Sequence, residues 1–214
     1  MYTIPVKEMV KIYSTFNGTA PKTFFDCGAA NGRILLEAEK MGISASGVEK
    51  DKYNLKTQEQ KDLVKQGKLQ IIPIEKCAPI KADLAYCNGV LTYMDEVQLA
   101  LTLSKFDNVN TLIISHDTFD DILDAKTNDY HMPYQKNQNI KPIIWWIAYF
   151  QTNGFEALYD SKRFCFVLFP NKQLVGQHKL KVSKRKPTRK LRTYPKIDLL
   201  EEQKRKLKKK QKQR

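Results

Sequence analysis

Along the first 170 residues, short apolar runs rich in β-branched and aromatic side chains alternate with longer segments whose apolar positions recur at helical spacing. Thr23–Cys27 (TFFDC) precedes Arg33–Lys40, where Ile34, Leu35, Ala38 and Met41 share one face. Ala45–Val48 precedes a helical stretch over Tyr53–Lys65, and Leu69–Ile72 follows. Next come Asp83–Cys87, a helix near Glu96–Leu103, Thr111–Ser115, a helix over Pro142–Thr152, and Arg163–Phe169. Pro142 suits the start of its helix and Asn153-Gly154 its end. Phe155–Tyr159 is expected as a further strand or a hairpin arm running against the others. Strands separated by helices in this way imply βαβ units and a parallel sheet, so the predicted body is an α/β three-layer sandwich ending near Pro170.

Two segments break the alternation. Residues 119–140 are polar and bear aromatic side chains, and they fall between the Thr111 strand and the Pro142 helix, at the edge where such sheets bind ligands. A cap there containing Tyr130, His131, Met132 and Tyr134 would close over a small substrate, with His131 as a candidate general base. Residues 171–214 are dominated by Lys and Arg and offer little to pack.

Charge sharpens that division into a body, 1–170, and a tail, 171–214. The 214 residues carry 37 Lys+Arg against 23 Asp+Glu, a net charge of +14. Of these, 18 basic and 3 acidic residues lie in 171–214, leaving a body of 19 basic and 20 acidic residues with net charge −1. Blocks of like charge stay solvated, so the tail is expected to be disordered. Lys184, Arg185, Lys186, Arg189, Lys190 and Arg192, with Lys204, Arg205, Lys206, Lys208, Lys209 and Lys210, are candidates for neutralising phosphates of RNA or DNA or for meeting an acidic partner surface. Tyr194 is the one aromatic residue among them, which argues against recognition of sequence by stacking. In a nucleated cell the same clusters would serve as a nuclear or nucleolar address.

The longest apolar stretch, Ile143 to Phe150, is far short of the roughly 20 residues that span a bilayer, and nothing near Met1 has the layout of a signal peptide. A soluble intracellular protein is expected. Cys27, Cys77, Cys87 and Cys165 form no C-x-x-C pair, and His116, His131 and His178 lie far apart, so no metal site is expected.

The chemistry is concentrated where TFFDC runs into GAANGR. Asp26, Gly28, Ala30 and Gly32 lie at a strand-to-helix turn, where glycine lets backbone approach a ligand and a helix N-terminus offers free N–H groups. Glu49 ends the second strand, the position from which nucleoside-binding folds hold a ribose with a carboxylate. A pyrophosphate would be repelled by Asp26, whereas the cationic groups of S-adenosylmethionine (SAM) would not.

The run FFDCGAANGRILLEAEKMG…SGVEKD resembles the acid-x-Gly-x-Gly-x-Gly signature of class I, seven-strand methyltransferases, with Ala30 replacing the middle glycine. The resemblance covers about residues 1–170 and implies a mostly parallel, Rossmann-like sheet of seven strands, SAM as cofactor and methyl transfer as activity. It implies that Asp26, Gly28, Ala30 and Gly32 line the methionine half, that Glu49 holds the ribose, and that Ile74 and Glu75 contact adenine. It also implies that Asn88, delivered by DLAYC, stands beside the transferable methyl group and orients the nucleophile.

The acceptor is less legible. Asn88-Gly89-Val90-Leu91 lacks the Asn/Asp-Pro-Pro-aromatic run of base amino methyltransferases. The Asp and Lys expected of a ribose 2′-O enzyme are replaced by Asn88 and by Ser115-His116-Asp117-Thr118. Tyr2-x-x-Pro5, Gly32-Arg33-Ile34-Leu35 and Gly47-Val48-Glu49-Lys50 resemble segments of the non-SET seven-strand protein-lysine methyltransferases. The reading is therefore methylation of nucleic acid or of a protein bound to it. The alternatives are a non-catalytic binding module on a degenerate methyltransferase fold, and a small-molecule enzyme with an incidental tail. Trp145 and Trp146, inside an apolar helix, are read as core.

Overall fold

A computed structural model describes residues 3–51, 55–116 and 141–171. The 119–140 insertion with His131, the tail with all its basic clusters, and Tyr2 lie outside the described residues.

Seven strands form one sheet in the order β3-β2-β1-β4-β5-β7-β6. They are β1 (Thr23–Cys27), β2 (Ser44–Glu49), β3 (Leu69–Ile71), β4 (Lys81–Asn88), β5 (Asn108–Ser115), β6 (Phe155–Asp160) and β7 (Cys165–Pro170). Among the described residues the helices are α1 (Val6–Asn17), α2 (Arg33–Lys40), α3 (Gln58–Lys65), α4 (Glu96–Ser104) and α5 (Ile143–Thr152). One apolar core lies between the sheet and α1, α2 and α3, centred on Met9, Phe24, Leu35 and Leu84; the other joins the sheet to α4 and α5 through Leu99, Leu103, Trp146 and Phe150. The three layers are those expected from the alternation.

The reversed strand is not the one anticipated. β7 runs antiparallel to both β5 and β6, whereas Phe155–Tyr159 was the candidate. The cause is legible in burial. Every residue of β7 is buried, so it needs cover on both faces and both edges, while β6 alternates buried and exposed positions at its start, as an edge strand does. The short link between them allows only a hairpin, which turns β7 back between β5 and β6.

Two further differences concern helices. α1 was not anticipated, although Val6, Met9, Ile12 and Tyr13 recur at helical spacing and bury one face, and Gly18 closes the helix at φ 76°. α3 starts at Gln58 and not near Tyr53, because Thr57 forms a capping box: its hydroxyl accepts from Gln60 N–H while the Gln60 side chain accepts from Thr57 N–H.

α1 and the residues before it are tied to the sheet at two places. Arg163 donates to Glu8 at 2.7 Å and to Asp160 at 2.7 Å, linking the helix to the β6–β7 hairpin. Ile4 N–H donates to the Tyr86 hydroxyl at 3.2 Å. All four cysteines are buried thiols. No helix among the described residues is long and apolar enough to cross a membrane.

Candidate functional site

The chain leaves β1 to build β2 and β3 on one side and returns to lay β4 on the other. The carboxyl ends of β1 and β4 thus diverge into a crevice, the place where open α/β sheets bind ligands. A cavity of about 310 Å³ occupies it. Gly28 and Gly89 form the wall from β1 and β4, and Val48, Glu49 and Lys50 form it from β2. Ile72 to Glu75, following β3, and Val90, Tyr93, Met94 and Gln98, around the start of α4, complete it.

The β1–α2 loop owes its shape to three residues in the left-handed region, alternating along the chain: Gly28 at φ 80°, Ala30 at φ 47° and Gly32 at φ 74°. Gly28 N–H and Ala29 N–H both donate to the Val48 carbonyl at 2.9 Å, which pins the loop to the end of β2. A β-carbon on Gly28 would lie 2.3 Å from Val90 Cγ2, so glycine is what allows β4's exit loop to close against β1's. Gly32 caps α2, and its missing side chain makes room for Leu63 of α3.

Glu49 is buried and its carboxylate is fixed from two sides. Oε2 accepts from Ala30 N–H at 2.7 Å and Oε1 from Asp51 N–H at 2.9 Å. Each carboxylate oxygen has two lone pairs, so one on each remains for a ligand donor, and a vicinal diol matches that pair.

Asp26 is 3% exposed and is not among the residues lining the cavity. It lies beneath the loop, and its carbonyl is 2.6 Å from where a Gly47 β-carbon would be. Burial first, and the neighbouring Glu49 carboxylate second, push its carboxyl up to about 7. A cation arriving above it would favour the ionised form.

Asn88 ends β4. Its Nδ2 donates to Thr3 Oγ1 at 3.2 Å, and its Oδ1 is buried without a hydrogen-bond partner among the described residues. It stands behind the cavity wall, which its neighbour Gly89 forms.

Of the residues singled out from sequence, then, Gly28, Glu49, Ile74 and Glu75 meet at one cavity. Ala30 and Gly32 shape its loop, and Asp26 and Asn88 lie behind it. His131 and the tail residues lie outside the described residues. Val90, Tyr93, Met94 and Gln98 were missed. Their signal was Asp95 followed by Gln98, a capping box that fixes where α4 begins and leaves Tyr93 and Met94 in the loop before it.

His116 was also passed over. It follows β5, is 3% exposed, and neither ring nitrogen has a partner among the described residues. It packs on Trp146 and Phe166 with ring centroids 4.4 and 5.4 Å apart. Burial pulls its imidazole down to about 3, so it is neutral at physiological pH. Trp146 is fully buried as expected, whereas Trp145 is half-buried and stacks on Tyr149 at 4.9 Å. No group of three or more His, Cys, Asp or Glu suited to a metal ion occurs among the described residues.

Comparison with solved structures identifies the architecture as the class I SAM-dependent methyltransferase fold. An O-methyltransferase family protein from Burkholderia thailandensis aligns over 77% of this chain and 55% of its own, at 16% identity and a TM-score of 0.52. A small RNA methyltransferase aligns over 78% of this chain and 25% of its own, at 15% identity and a TM-score of 0.55. Magnesium protoporphyrin IX methyltransferase from Synechocystis, solved with bound SAM, aligns over 76% of each chain at 13% identity and a TM-score of 0.51. This chain thus spans about half or less of the first two proteins. No family model matches the sequence, and no curated protein matches it.

Proposed function

We propose that this protein is a SAM-dependent methyltransferase whose acceptor is a nucleic acid or a protein bound to one. The observation that carries the cofactor assignment is Glu49. Its carboxylate is locked by Ala30 and Asp51 N–H groups at the rim of the β1/β4 crevice, with lone pairs left for a ribose diol. The fit extends along the cavity. Ile74 and Glu75 would flank the adenine, and the loop at Gly28, packed against the Val90 side chain, would take the methionine portion.

When bound, SAM supplies a methyl group activated by its sulfonium charge. The chain's own part is placement. The Gly28 and Gly89 walls fix the approach, the apolar side chains of Val90, Tyr93 and Met94 exclude water, and Asp26 below the loop offers a compensating negative charge. Asn88, at the end of β4 next to the wall residue Gly89, would orient the acceptor through its side-chain amide.

Among structural neighbours the acceptors differ, so the fold does not choose one. What supports a nucleic-acid acceptor, or a protein held on nucleic acid, is the +15 carried by residues 171–214 beside a body of net charge −1. Cell extract incubated with labelled SAM and the full chain tests this reading, with the label then sorted among RNA, DNA, protein and small molecules. Label in a nucleic acid or its bound protein, lost with Glu49→Ala and reduced by deleting 171–214, is the expected result. Label confined to small molecules overturns the acceptor assignment.

A further inference from the structure

Four buried side-chain polar atoms lack a hydrogen-bond partner among the described residues: Asn88 Oδ1, both ring nitrogens of His116, and Trp146 Nε1. A buried polar group without a partner is costly, so native chains keep few of them. Here all four belong to one place, the carboxyl ends of β4 and β5. Asn88 ends β4 opposite Ser115 in register, His116 follows Ser115 directly, and Trp146 of α5 packs on the His116 ring at 4.4 Å. Strand alternation turns Asn88 with Tyr86 towards α1 and His116 with Ile114 towards α5, so the sheet edge has an unmet polar group on either side.

That edge adjoins the crevice. Gly89, in the cavity wall, donates its N–H to the Ser115 carbonyl at 2.8 Å. Val90 and Met94, which line the same cavity, pack against the apolar cluster that holds Trp146 and Phe166. His116 and Trp146 therefore lie on the cavity's side of the sheet, one strand beyond the β1/β4 crevice.

We propose that His116 and Trp146 bind the methyl acceptor, and that the group they take is an uncharged one from a nucleic acid, a base edge or a sugar hydroxyl. This rests on the SAM-dependent reading of the crevice and selects between its two classes of acceptor. Charge makes the selection. Burial alone acts on His116, with no carboxylate or cation contributing, so the imidazole is neutral. It offers one donor and one acceptor, and the indole N–H offers a second donor. A lysine ammonium would enter this apolar ground without a counter-charge, at a cost that neutral groups do not offset. A base edge or a sugar hydroxyl carries no charge and can both give and take hydrogen bonds. Lys141, its ammonium 5.4 Å from the Trp145 ring, adds a positive charge at the start of α5, which suits a phosphate backbone and opposes an ammonium. The Trp146 and Phe166 rings beside His116 supply apolar surface of the kind on which bases stack. His116 is 3% exposed in this packing, so the acceptor meets it once the imidazole turns towards the crevice, and the hydrogen bonds it lacks at rest are what it gains by turning.

Trp145 and Trp146 are the chain's two tryptophans, so Trp145→Phe leaves Trp146 as the one indole emitter. The test titrates that full-length protein, saturated with S-adenosylhomocysteine so that no methyl is transferred. The titrants are short random-sequence single-stranded RNA, the same pool as DNA, an abasic deoxyribose-phosphate chain and a lysine-rich peptide. Phosphate contacts are common to the three nucleic-acid chains and produce no difference between them. Trp146 emission should shift with RNA. A matching shift with DNA assigns the base edge, and a shift with RNA alone assigns the sugar hydroxyl. Adding His116→Phe should raise the half-maximal RNA concentration at least about tenfold while S-adenosylhomocysteine binds as before. His116→Gln, which keeps a donor and an acceptor, should recover part of that loss. No shift with RNA, an equal shift with the abasic chain, a shift with the peptide as large as that with RNA, or indifference to both His116 variants would each overturn the proposal and leave the cofactor reading standing. Failure to bind S-adenosylhomocysteine would overturn the cofactor reading and the proposal with it.

Discussion

Glu49 Oε2 accepts a hydrogen bond from the backbone N–H of Ala30 at 2.7 Å, so the acid that ends the second strand also holds the loop that ends the first. Removing it acts twice. Glu49→Ala leaves Ala30 N–H and Asp51 N–H without their acceptor and is expected to cost about 1–3 kcal/mol in stability. It should also weaken SAM binding by roughly 10- to 100-fold, because a charge-assisted pair to the ribose is lost. Thermal denaturation and calorimetric titration measure the two effects separately.

The loop's alternating left-handed residues predict opposite outcomes for two small changes. Ala30, at φ 47°, carries a strain that glycine does not, so Ala30→Gly should stabilise the protein by about 1 kcal/mol. Gly28→Ala meets both φ 80° and the Val90 methyl at 2.3 Å, and should destabilise it by about 2 kcal/mol or more while lowering SAM affinity. Adding Val90→Ala should restore part of the stability of Gly28→Ala. Denaturant melts of these three variants beside the wild type decide this.

Asp26 makes stability depend on pH in the sense opposite to most carboxylates. Its carboxyl is raised from 3.8 to about 7, so between those values the folded chain keeps a proton that the unfolded chain has released. The cofactor-free protein should therefore gain stability from this group as pH falls from 7 towards 4. Asp26→Asn removes that dependence and should raise stability above pH 7, by an upper bound of about 4 kcal/mol. Melting temperatures of both proteins from pH 4 to 8 give the comparison.

His116 pulls the other way. With its imidazole lowered from 6.5 to about 3, the unfolded chain takes up a proton below pH 6.5 that the folded chain refuses. Its contribution is present above pH 6.5 and is lost as pH falls towards 3. His116→Phe keeps the aromatic packing on Trp146 and Phe166 and should flatten the acid limb of the stability profile; an unchanged limb would show that another group causes it.

Most of the fold was legible because the βαβ segments obey local rules. Thr23–Cys27 and Arg33–Lys40 fall where periodicity placed them, and Pro142 and Gly154 bound α5 as their backbone preferences require. α1 was not anticipated, because Val6, Val10, Ile12 and Thr15 are β-branched and weaken the local helix preference of a segment whose apolar face is set by packing on the sheet. The place of β7 between β5 and β6 depends on long-range cover for a strand buried throughout, which no local pattern encodes. At the site, Gly28 and Glu49 could be read because each satisfies a backbone or charge demand peculiar to its position. Val90, Tyr93 and Met94 could not, since an apolar side chain at a cavity wall and one in a core look alike in sequence. Asp26 was read as a cavity residue, but strand alternation turns it into the layer beneath.

Calorimetric titration of the purified chain with SAM tests the central claim most directly. Saturable one-to-one binding that is weakened at least about tenfold by Glu49→Ala, with the variant still folded, is the predicted result. Absence of binding by the folded wild type, or binding indifferent to Glu49, would contradict the assignment of this crevice as a SAM site.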